Sequence, residues 1–299
     1  MKTKEYKKKV GVARLSILSN TTLILIKLLA GIFSGSVSII SEAIHSSMDL
    51  MAAVIAFFSV RVSGNPPDKK HPYGHGKFEN ISGVIEALLI FIAAVWIIYE
   101  AIHKLYNPAE IKNIEVGAIV MIISALVNVF VSRKLYKVAK ETDSVALEAD
   151  ALHLKTDVLT SAGVAVGLLL ILVTGNKYPF LDPVVAIIVA LFIIYEAFVL
   201  LKKAYNPLLD TTLPDDEVEL ITGAINKHIQ ENMAWHQLRT RKSGNYSYAD
   251  FHLEVPESLS VKSSHQLCDD IEAEIRSHFH NIEVQIHIEP MPSVSEEQQ

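Results

Sequence analysis

Six stretches of this chain are each close to the roughly 20 consecutive apolar residues that a helix needs to cross a bilayer. They lie at about Leu15 to Phe33, Val37 to Val60, Ile81 to Ile98, Val116 to Val131, Val145 to Val173 and Pro183 to Leu201. The chain is therefore read as an α-helical membrane protein with six transmembrane helices. Composition agrees: 50% of the 299 residues are hydrophobic and 20% charged, which excludes disorder. The apolar excess ends near Leu209, and the rest reads as an ordinary charged domain. The expected organisation is an N-terminal arm over 1–9, a membrane domain over 10–209, a cytoplasmic domain over 210–290 and a flexible tail over 291–299. The first apolar run is full length and no small-residue cleavage site follows it, so it is expected to stay as a membrane helix.

Lys and Arg crowd one set of connections. The N-terminal arm carries Lys2, Lys4, Lys7, Lys8, Lys9 and Arg14, the second connection Arg61, Lys69, Lys70 and Lys77, and the fourth Arg133, Lys134, Lys137 and Lys140. The opposite connections hold only Lys104, Lys112 and Lys177. By the positive-inside rule both termini are expected in the cytoplasm. The net charge of −6, with no basic block interleaved with aromatics, argues against nucleic acid as a partner.

The region after Leu209 predicts a small αββαβ unit of the α+β class. Pro214 with Asp215, Asp216 and Glu217 starts a helix, since proline suits its first turn and acids its positive end. Strand-like runs at His236 to Lys242 and Tyr246 to Val255 flank the turn Ser243-Gly244-Asn245. A helix capped near Ser263 and an alternating strand, Glu283 to Glu289, complete it.

The chemistry sits where ionisable residues interrupt the apolar segments. The second segment carries Glu42, His45 and Asp49, and the fifth Asp150, His153 and Asp157, in both cases three and then four residues apart and so along one helical face. Charges at membrane depth are costly and mark ion pathways. Because the single cysteine, Cys268, leaves no thiolate cluster, a metal must be held by His, Asp and Glu. The two imidazoles and two carboxylates of His45, Asp49, His153 and Asp157 make an N2O2 set that suits zinc. The competing reading, His–Asp pairs that glue two helices, explains one such pair better than two matched ones. Glu42 and Asp150, one turn nearer one end, are read as lining the path to the site or as interfacially solvated. Lys27 is expected to snorkel, Asn20 and Asn128 to join helices, and Glu86 and Glu196 have no evident partner.

The loop after the second segment gathers Asp68, His71 and His75 among prolines and glycines that can fold them toward one point. As a bare pattern it is equally a solvated loop.

Taken together these residues resemble the cation diffusion facilitators, a family of divalent-metal efflux transporters. The resemblance is carried by Gly35-Ser-Val-Ser38, His45-x-x-x-Asp49, His71-Pro-Tyr-Gly-His-Gly-Lys77, Asp150-Ala-Leu-His153-x-x-x-Asp157 and Leu208-Leu-Asp210 with Pro214, and it covers nearly the whole chain. It implies a homodimer in the cell inner (plasma) membrane that exchanges a cytoplasmic divalent cation for protons by alternating access. The transport site falls on His45, Asp49, His153 and Asp157, and a loop metal site on Asp68, His71 and His75. Lys77 and Asp210 match a charge pair that ties the membrane part to the cytoplasmic domain. That domain resembles a metallochaperone fold, and its metal site falls on His236, His252, His265, His287 and Glu289. Independently, His287 and Glu289 share one strand face, and His252 lies opposite Phe251, Leu253 and Val255. Many relatives place Asp where this chain has His45, and the added imidazole favours zinc over manganese and cadmium.

Zinc is therefore the expected substrate, and a structural or regulatory ion as well, with iron, cobalt, cadmium and manganese as alternatives. An intramembrane metallohydrolase would need a general base beside the metal and a vacant coordination position, as in His-Glu-x-x-His, and neither helix offers that motif. The chain is not read as an enzyme. A membrane-anchored metal sensor remains a rival, although it leaves the ionisable residues in the second and fifth segments unexplained.

Overall fold

The computed structural model describes residues 4–34, 37–106, 114–174, 180–279 and 281–291. The chain divides into two compact units, Met1–Tyr205 and Asn206–Gln299. The tail over 292–299 lies outside the described residues.

Among the described residues the first unit has six long helices: α1 (Lys4–Ser34), α2 (Val37–Ser63), α3 (Lys77–Tyr106), α4 (Ile114–Thr142), α5 (Val145–Thr174) and α6 (Leu181–Tyr205). All but α5 run well past the apolar stretches that announced them, because Lys, Arg and Glu at the ends are good helix formers. An apolar window measures membrane depth rather than helix length. Among the described residues, three segments are long and apolar enough to cross a membrane: Lys4–Ala30, Lys77–His103 and Pro183–Leu209.

Packing in this unit inverts the pattern of a water-soluble protein. Many of its buried positions are small, including Ala13, Ala52, Ala56, Ala87, Ala94 and Ala146, while Leu18, Ile92, Trp96, Leu191 and Phe198 are exposed. Small residues let helix backbones approach, and large apolar side chains facing outward suit lipid. At Gly83 of α3 an added Cβ would sit 2.7 Å from Val145 Cγ1 and 3.0 Å from Ala204 Cβ, so α3 meets the start of α5 and the end of α6 with no room to spare.

A buried ion pair joins α1 to the start of α3. Lys9 of α1 donates to Glu79 of α3, which also accepts from Ser144 and, at 2.7 Å, from Ser63 Oγ. Lys9 thus belongs to the helical bundle, and α1, α2 and the turn before α5 converge on one carboxylate of α3.

The second unit has the expected αββαβ order, with α7 (Asp215–His228), β1 (Ala234–Ser243), β2 (Tyr246–Val255), α8 (Val261–His278) and β3 (Ile282–Pro290). Strand order is β1-β2-β3, antiparallel for the first pair and parallel for the second, so α8 is the crossover that parallel neighbours require. Pro214 precedes α7, and the N-cap of α8 is Ser260, whose Oγ accepts from Ser263 N, rather than Ser263 itself. Ile221 and Ile225 of α7, Phe251 and Leu253 of β2, and Ile271 and Ile275 of α8 form the core. Alternation along the strands turns the polar positions to the other face, which carries the histidines.

Candidate metal centres

Each of the three groups singled out in the sequence gathers at least three metal-ligating side chains, with donor atoms within 4.8 Å of one another.

The first lies between α2 and α5. His153 Nε2 is 3.1 Å from Asp49 Oδ1, both groups are largely buried, and Asp157 joins them one turn along α5. His153 Nδ1 is buried with no hydrogen-bond partner among the described residues, a cost that a proton acceptor or a metal would relieve. Neighbouring helices hold the backbone of Asp49 and the carboxylate of Asp157. Asn20 Nδ2 of α1 donates to the backbone carbonyl of Asp49, and Asn128 Nδ2 of α4 donates to Asp157 Oδ2, each at 3.4 Å. Position 45 lies in α2, but the side chains of His45 and Glu42 lie outside the described residues.

Two expectations about this region are corrected. Lys27 does not snorkel: it is buried and donates to Ser46 Oγ at 2.7 Å, because a partner on α2 lies within reach. Asp150 is not interfacially solvated, since it is fully buried and accepts from Ser16 Oγ at 3.1 Å. Partners also exist for the two unassigned acids. Glu86 accepts from Ser82 Oγ at 3.1 Å, and Glu196 lies 3.7 Å from Lys155.

The second group is the loop between α2 and α3. Asp68 Oδ1 accepts from the backbone N–H of Lys70 and of His71, both at 2.8 Å, a turn that fixes the carboxylate against its own loop. These bonds, His71's first and then Lys70's, hold the Asp68 carboxyl below its usual value, and the His71 and His75 rings add to the effect. His71 Nδ1 and His75 Nε2 each lie 3.4 Å from one Asp68 oxygen, and the two rings are 4.4 Å apart. Gly74, at φ 80°, supplies the left-handed step that brings His75 back under His71. His75 is the buried member, and its Nδ1 has no partner among the described residues.

The third group is a row across the sheet. His236 pairs with His252 and His252 with His287 in the strand register, so the three imidazoles stand side by side on β1, β2 and β3, with centroids 5.1 and 4.9 Å apart. Glu289, two residues past His287, reaches across the row: it lies 2.9 Å from His252 Nδ1, 3.3 Å from His236 Nε2 and 3.5 Å from His287 Nε2. A bulge with Gln237 at φ 53° follows His236 and aims it at the row. The sequence reading missed Glu254, which is 3.2 Å from His236 Nε2. Its position two residues after His252, on the same strand face, was the available signal. His265 does not join this row. It sits exposed on α8, 3.8 Å from Asp269.

Of the expected charge pair, Lys77 opens α3 in the first unit and Asp210 lies in the second, where its Oδ1 is 3.6 Å from Arg241.

A profile of the cation efflux transmembrane domain matches residues 13–209, and one of the cytoplasmic domain of cation efflux proteins matches residues 213–291. The chain is 34% identical over 266 residues to an uncharacterized transporter of Synechocystis sp., covering 89% of this chain and 85% of that protein. It is 31% identical over 279 residues to the cation-efflux pump FieF of Shewanella oneidensis, covering 93% of each. Among solved structures, the metal-bound C-terminal domain of the CzcD transporter from Thermotoga maritima matches 26% of this chain and 92% of its own at 30% identity, with a TM-score of 0.24. The chain belongs to the cation efflux family of membrane transporters, the cation diffusion facilitators.

Proposed function

We propose that this transporter exports a divalent cation, zinc foremost, from the cytoplasm in exchange for protons, through a site formed by His45, Asp49, His153 and Asp157. The observation that carries the reading is the meeting of Asp49, His153 and Asp157 between α2 and α5, with donor atoms within 4.8 Å. Two carboxylates and neutral imidazole give a cavity of charge about −2, matched to a divalent ion. Imidazole titrates near neutral pH, and a metal takes only deprotonated ligands, so the same atoms bind either the ion or protons. In the inward-facing state cytoplasmic zinc displaces protons, and in the outward-facing state protons displace zinc. Nitrogen donors beside carboxylates, without thiolates, favour zinc while leaving iron, cobalt and cadmium as weaker substrates and manganese weaker still.

The other two groups fit zinc by donor type as resident ions. Asp68, His71 and His75 would order the loop at the head of α3. His236, His252, His287 and Glu289 would sense cytoplasmic metal, with His265 contributing only through a rearrangement or a second copy. The working form is read as a homodimer in the inner membrane with both termini in the cytoplasm, steadied by Lys77 and Asp210.

The test is a metal panel in sealed proteoliposomes with an acidic lumen. Zinc uptake that exceeds iron, cadmium and manganese uptake and collapses with the pH gradient supports the reading. Metal binding without flux would instead favour a membrane-anchored sensor.

A further inference from the structure

Where α4 and α6 end and α5 begins, the three helices line an open-sided cavity of about 580 Å³. Its walls are of two kinds. Val129, Leu152, Val158 and Val199 make it apolar along the helices, and six charged side chains line it: Arg133, Lys137, Lys155 and Lys203 against Glu148 and Glu196.

The anions are already matched. Glu148 accepts from Lys203 at 2.5 Å and lies 3.7 Å from Lys140, and Glu196 lies 3.7 Å from Lys155. Among the described residues neither Arg133 nor Lys137 lies within ion-pair distance of a carboxylate, Lys137 acting on Glu141 only at longer range. One turn apart on α4, these two leave the cavity with two cations in excess.

The surface around it is apolar and suits lipid. Phe130, Phe192, Tyr195 and Val199 are exposed on α4 and α6, and Lys134 lies over the Phe130 ring at 4.4 Å. This end of the bundle is the Lys/Arg-rich one, where anionic headgroups collect and basic pockets between helices hold them. A ligand here needs an anionic head and an apolar body. A soluble phosphate compound would leave the apolar wall uncovered, and a zwitterionic lipid would bring its own ammonium to two unmatched cations.

We propose that this cavity binds an anionic phospholipid, its headgroup phosphate held by Arg133 and Lys137 and an acyl chain lying along Val129, Leu152 and Val158. Guanidinium offers phosphate a paired donor geometry, and the lysine ammonium adds a point charge. The helix so braced is α5, which carries Leu152, Lys155 and Val158 on this side and His153 and Asp157 on the opposite one.

The test uses the purified full chain and native mass spectrometry of bound lipid, with phosphatidylglycerol, phosphatidylcholine and sn-glycerol 3-phosphate as probes. Phosphatidylglycerol is expected to bind in preference to phosphatidylcholine by about thirtyfold, at about fivefold per cation. Arg133→Gln with Lys137→Gln removes that preference. Lys134→Gln with Lys202→Gln, which takes two cations from the same end outside the cavity, keeps it. If the first double variant does not fold, Arg133→Gln and Lys137→Gln singly are each expected to lose about fivefold. Equal binding of the two lipids by the native chain, retained preference in the cavity variants, equal loss in the control, or displacement of the lipid by sn-glycerol 3-phosphate overturns the proposal.

Discussion

His153 Nε2 of α5 lies 3.1 Å from Asp49 Oδ1 of α2, so two helices separated by more than a hundred residues of chain are joined by a buried hydrogen bond. With the carboxylate ionised, Nε2–H is the donor, and a metal that takes Nε2 as its ligand would replace that proton. The proposed exchange of metal for proton would take place on these atoms, and the groups that orient them are testable.

Asn128→Ala removes the amide that donates to Asp157 Oδ2 without removing a proposed ligand. Loss of such an orienting partner is expected to weaken zinc binding by about 10–100-fold. Titration of the full chain with zinc, with a variant that also lacks the loop and sheet histidines as reference, measures it. Unchanged affinity would mean that Asp157 needs no orientation from α4.

In the second unit, His252→Ala removes the centre of the three-strand row and leaves Glu289 facing only its outer members. Bound zinc per chain is expected to fall while gradient-driven uptake persists at high zinc. Metal analysis and a flux assay on the same preparation separate these effects. Loss of both together would tie the row to transport itself.

The Lys9–Glu79 pair predicts a non-additive cycle. Lys9→Met leaves a fully buried carboxylate without its cation and is expected to destabilise the protein by about 3–5 kcal/mol, whereas adding Glu79→Leu recovers most of that. Unfolding in detergent micelles provides the comparison. Additive losses would place the pair's importance elsewhere than in mutual charge compensation.

Cys268 gives a prediction in pH. Burial, then the nearby Glu272 and Asp269 charges, push its thiol up to about 11. The fold disfavours the thiolate, so this contribution to stability is intact below about pH 9, where the unfolded thiol titrates, and is lost as pH rises toward 11. At pH 8 the native chain should resist alkylation at Cys268 and react once unfolded. Rapid alkylation of the native chain would show the thiol open to solvent.

Much of this was legible because local periodicity reports burial directly. Spacing of three and four put Asp150, His153 and Asp157 on one face of α5, and strict alternation put His252 opposite Phe251 and Leu253. What stayed hidden depends on partners distant in sequence. Nothing near Lys9 distinguishes it from Lys7 or Lys8, because its burial is set by Glu79 on another helix. Lys27 likewise reads as a snorkelling cation until Ser46 appears beside it. Glu254 was within reach of the alternation argument, but an acid on a solvent-side strand position is so common that only His236, brought close by the bulge at Gln237, gives it meaning. His265 shows the converse limit, since residue type alone cannot place a helix histidine beside a sheet.

The account's central claim is tested most directly by zinc uptake into proteoliposomes with an acidic lumen, comparing the native chain with His153→Ala. The native chain should accumulate zinc and alkalinise the lumen in step, and His153→Ala, with its cytoplasmic zinc binding intact, should do neither. Gradient-driven uptake at the native rate by His153→Ala would contradict the assignment of transport to this pair of helices.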